Sequence, residues 1–88
     1  MGSKKLLKKL SAFFDMDARA LSQQKDELNE LLGRLKKKEV QLIELQEATT
    51  DTEELKRLSK KIDVVHSQRK KGIKMLKELK EEISASNS

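Results

Sequence analysis

Cysteine, proline, tryptophan and tyrosine are all missing from this chain, and each absence removes a class of protein. Without cysteine there is neither a disulfide framework nor a thiolate zinc site, so a cross-linked secreted scaffold is not expected and a reducing, cytoplasmic setting is. Aromatics amount to 2%, the neighbours Phe13 and Phe14, which leaves no indole or phenol to stack on a base. Gly2, Gly33 and Gly72 are isolated and form no phosphate-cradling loop. Gly2 is followed at position 6 by Leu6 where a myristoylation signal wants Ser or Thr. The longest uncharged run is about six residues, far below the roughly 20 apolar residues of a membrane span, and no signal-peptide core follows the N-terminal lysines. His66 is the single histidine, so neither a metal nor a cofactor is expected, nor a small-molecule substrate.

What is present is 40% charged and 35% hydrophobic side chains with no strand-like alternation, the composition of long helices. One stretch, Glu47 to Glu54, interrupts a helical pattern that otherwise runs through most of the chain. Counting back from it by heptads places Leu45, Leu42, Lys38, Leu35, Leu31, Leu28, Gln24 and Leu21 on one stripe. Counting forward gives Leu55, Leu58, Ile62, Val65, Arg69, Gly72, Leu76, Leu79 and Ile83. Folded at the turn, each member of the first stripe meets a member of the second whose number completes a sum of 100, so that Leu45 faces Leu55, Leu42 Leu58, Leu35 Val65 and Leu21 Leu79. Such mirrored stripes define an all-α fold built on an antiparallel helical hairpin.

The expected organisation is a single domain over 1–83, with helices at about 4–14, 18–46 and 52–83, a turn at about 47–51 and a disordered tail at 84–88. Asp15 and Asp17 are good N-cap residues for the second helix, and Thr50 with Glu53, or Asp51 with Glu54, has capping-box spacing for the third. Two helices only half-bury their seam, so a third element is needed: the first helix or a second copy of the chain. Leu6, Leu7, Leu10, Phe13 and Phe14 make an apolar face on the first helix. Polar or small residues in the seam, with Gln24 facing Leu76, Gly72 Leu28 and Arg69 Leu31, cluster towards the termini, and that open end is where the first helix should dock. In this arrangement Leu6 and Leu7 lie beside Gly72 and Gln24.

The net charge of +5 is segregated by block. Arg34, Lys36, Lys37 and Lys38 are followed by a purely acidic run from Glu39 to Glu54, which carries six carboxylates, and then by seven bases against Asp63 between Lys56 and Lys71. The hairpin collects Arg34, Lys36, Lys37, Lys60, Lys61, Arg69, Lys70 and Lys71 into a mid-length belt able to face phosphates or an acidic partner. Val40, Ile43 and Val64 lie off the seam and are candidate protein contacts. The acidic tip, with Glu44, Glu47, Asp51, Glu53 and Glu54, resembles in shape and charge the projecting coiled coils of bacterial transcription-elongation factors, without a shared motif.

Ser59, Asp63 and His66 share a helix face at i, i+4 and i+7, but an exposed helix offers no oxyanion donors, and no enzyme is expected. The leading expectation is a protein-interaction or scaffold module with a protein partner or self-association. Sequence-nonspecific RNA or DNA binding through the belt is the alternative. A membrane surface is a further one, because Lys4, Lys5, Lys8 and Lys9 oppose the apolar face of the first helix.

Overall fold

The computed structural model describes the backbone of residues 2–87 and the side chains of residues 4–81. Four helices follow one another: α1 (Gly2–Phe14), α2 (Ala18–Gln23), α3 (Lys25–Ala48) and α4 (Thr52–Asn87). The long α3 and α4 pack together as the expected hairpin, α1 rests against both, and no strand occurs among the described residues. At 1.5 Å per residue α4 alone is about 54 Å long, which equals the long axis of the molecule, 54 Å.

Local chemistry sets the ends of these helices. Asp17 accepts a hydrogen bond from Ala20 N at 2.9 Å and so caps α2. The helix expected to run unbroken from there is interrupted at Gln24, whose N–H is shared between the carbonyls of Ala20 and Leu21 at 3.2 Å each. This 3₁₀-type tightening ends α2 and redirects the chain into α3. At the tip, the Thr49 hydroxyl donates to Leu45 O at 2.6 Å and closes α3. Asp51 then caps α4 by accepting from Glu53 N at 3.1 Å. α4 continues past Ile83 to Asn87 rather than fraying at 84, since no proline or glycine in that segment opposes the helix.

The core lies at the base of the hairpin, where three helices meet: Leu10 and Phe13 of α1, Leu21 of α2, Leu28, Leu31, Leu32 and Leu35 of α3, and Val65, Leu76 and Leu79 of α4. Nearer the tip the stripe is only partly covered. Leu58 is buried and Leu42 half-buried, but Leu45, expected against Leu55, is 52% exposed, because no third helix reaches it. Ile83 lies outside the residues whose side chains are described.

Two contacts move relative to the expected register. At Gly72, expected to face Leu28, a Cβ would come within 2.7 Å of Leu32 Cδ2 and 3.3 Å of Leu10 Cδ1. Leu32, off the stripe, is buried there because the small residue lets α1 and α3 approach α4 closely. It is therefore Leu10 that meets Gly72, while Leu6 lines one cavity with Gln24 and another, further along, with Lys38 and Gln41. α1 covers more of the hairpin than expected.

Candidate functional site

The docking of α1 creates a groove that no single helix carries. Lys5, Leu6 and Lys9 form one wall, and Arg34, Lys37, Lys38 and Gln41 of α3 the other. Five bases thus line one open channel. Their like charges are tolerated because their heads remain in water, and the Arg34 guanidinium donates to Glu30 at 2.8 Å, a pair exposed on both sides. Lys5 and Lys9 were not among the expected partner contacts. The signal that could have found them is their i, i+4 spacing on either side of Leu6, which turns them to one flank of the docking face.

The belt itself is placed less uniformly than its sequence blocks suggest. Lys36, Lys37, Lys60, Lys61, Lys70 and Lys71 are exposed. Lys36 and Lys37 point about 100° apart, so they serve different faces. Lys71 Nζ lies 4.5 Å above the Phe14 ring and helps hold α1 on α4. Arg69 leaves the belt for the seam: its side chain is 20% exposed, and Nε donates to Glu39 Oε2 at 2.9 Å.

Among the described residues Glu39 is the one charged residue that is buried, at 7% exposure. Its second oxygen, Oε1, lies 2.6 Å from His66 Nδ1, so both carboxylate oxygens have partners and the charge is compensated where it sits. The expected register set Glu39 level with Lys61; instead it reaches across the seam to His66 and Arg69. His66 accordingly turns towards Glu39 and not along its own helix to Asp63, which is exposed, and the Ser59, Asp63 and His66 row is not assembled. The signal was available in Arg69, a base in a hydrophobic stripe that needs an acid within reach.

Val40, Ile43 and Val64 are all exposed but do not form one patch. Val64 stands seven residues, two turns, before Lys71 and so lies on the α1 side of α4. Val40 lies on the outward side of α3, in a shallow hollow with Gly33, Lys36, Lys37 and Gln41. Ile73, also exposed, is about 200° from Lys71 and faces away from α1. Among the described residues no group of acids and histidine has the arrangement of a metal site, and no helix is long and apolar enough to cross a membrane. No protein-family model matches the chain, and neither a curated protein nor a solved structure is found to match it.

Proposed function

We propose that this protein is a non-enzymatic helical interaction module whose working surface is the groove between α1 and α3, and that the groove receives an acidic segment of a protein partner. The observation that supports this is the convergence of Lys5 and Lys9 with Arg34, Lys37 and Lys38 in one groove that Leu6 also lines, an apolar side chain among five bases. Phosphates require only charge; a protein segment also uses the apolar strip, which continues towards the tip as the exposed Leu45.

Poly-L-glutamate titrated against the full chain tests the reading. It should bind, with affinity lost in a Lys9→Glu, Lys37→Glu double variant and retained when Lys36 and Lys60, away from the groove, are reversed. No binding at low salt, at a dilution where the chain is monomeric, would end the proposal.

Nucleic-acid binding is the second reading, favoured by Lys36, Lys60, Lys61 and Lys70, none of which forms an ion pair among the described residues. It requires affinity for mixed RNA or duplex DNA that falls with salt at a log–log slope of about −0.7 to −0.9 per phosphate neutralised. Reversal of Lys36, Lys37, Lys60 and Lys61 to Glu should then abolish binding without sequence preference. Membrane association would require α1 to undock and expose Leu10 and Phe13, which are 0% and 6% exposed in the core.

A further inference from the structure

The half of the molecule nearer the tip has two helices where the base has three. Among the described residues α1 lines the groove as far as Lys38 and Gln41, and nearer the tip Leu45 of α3 is exposed. On α3 the row that borders α1, Leu31, Arg34 and Lys38, continues two turns further to Leu45, 52% exposed. On α4, Val64 is two turns nearer the tip than Lys71, on the side that touches α1, and is 50% exposed. Glu53 is eighteen residues before Lys71, five whole turns, and points the same way. The open face therefore has an acidic end at the tip, an apolar middle of Leu42 and Leu45, and a cationic end at the groove, with Val64 on α4 level with that cationic end.

We propose that a second copy of this chain covers that face, in a two-fold dimer in which the tip of each copy lies in the step left by the other's α1. The inference rests on the groove receiving an acidic protein segment, and it names that segment as the partner copy's tip.

The geometry permits it. Glu53 stands level with Glu47 of α3, about 10 residues or about 15 Å from Lys37 of the groove, so a two-fold axis midway lies about 7.5 Å from each. That level is the level of Leu42. An isologous contact about this axis sets Leu42 near its own mate and Leu45 of each copy within one turn of the axis. It also brings Glu53 of each copy to Lys9 and Lys37 of the other. Four helices then enclose the apolar middle, which supplies there the layer that α1 supplies at the base. Val40 and Ile43 face away and stay outside the contact.

Sedimentation of the full chain over a range of concentrations tests the proposal. The wild type should show twice the chain mass at the upper end, and Leu45→Asp or Val64→Asp should be monomeric with unchanged helicity and with the melting temperature of the wild type at its most dilute, both side chains being exposed in the single chain. A Thr50→Lys, Glu53→Lys variant and a Lys9→Glu, Lys37→Glu variant should each self-associate at least tenfold more weakly. An equimolar mixture of the two should dimerise again, because the reversed tip meets the reversed groove while the remaining tip and groove keep their native signs. A wild type that is monomeric throughout, a mixture that does not recover, or a dimer broken by Val40→Asp but not by Leu45→Asp would overturn the dimer. The groove is assessed separately in the Leu45→Asp protein. Poly-L-glutamate binding there, beside a monomeric wild type, ends the dimer alone; its absence removes the groove reading and the dimer together.

Discussion

Glu39 and Arg69 are separated by 30 positions in the sequence, yet the Arg69 Nε donates to Glu39 Oε2 at 2.9 Å inside the seam between α3 and α4. A carboxylate buried this far is tolerated only while both oxygens are bonded, and His66 supplies the second partner at 2.6 Å. The three residues form a polar layer that fits one alignment of the two helices.

Removing one member should be costly. Arg69→Ala leaves Glu39 buried with only His66 beside it, and stability should fall by about 3 kcal/mol, read from urea unfolding. His66→Ala should cost less, since half of that side chain is in water. Replacing Glu39 and Arg69 together by leucine should be close to neutral, because the paired charges are desolvated as much as they are attracted. A double variant as unstable as Arg69→Ala would contradict the role given to the pair.

The glycines should respond in opposite directions. Nothing lies within 4 Å of a Cβ built on Gly33, so Gly33→Ala should stabilise α3 by about 0.5–1 kcal/mol. At Gly72 the added atom meets Leu32 and Leu10. Gly72→Val should destabilise by about 1–3 kcal/mol through overpacking, with the loss seen as a lower urea midpoint. Equal responses at the two positions would show that α1 does not pack on Gly72.

Docking of α1 should be thermodynamically coupled to the hairpin. Leu10→Asp or Phe13→Asp places a charge in the core, and each should lower stability by more than about 2 kcal/mol. Lys4→Asp, exposed on the same helix, should change it by at most about 0.5 kcal/mol. If the core variants melt like the wild type, α1 is not part of the folded unit.

The hairpin was legible in the sequence because heptad spacing and burial share one physical cause. Leu28, Leu35, Val65 and Leu79 must repeat at the helical period to be covered by an antiparallel neighbour, and all four are buried. The caps at Asp17 and Asp51 were legible for a similar reason, since a side chain that bonds a free amide acts within three residues of itself. What could not be read was decided between helices. The position of α1 depends on how closely Leu10 and Leu32 approach Gly72, a matter of side-chain volume in three dimensions. That position in turn sets Lys5 and Lys9 opposite Arg34, Lys37 and Lys38. The meeting of Glu39 with His66 and Arg69 depends on long side chains reaching past their own level across the seam, which linear counting of residues cannot express.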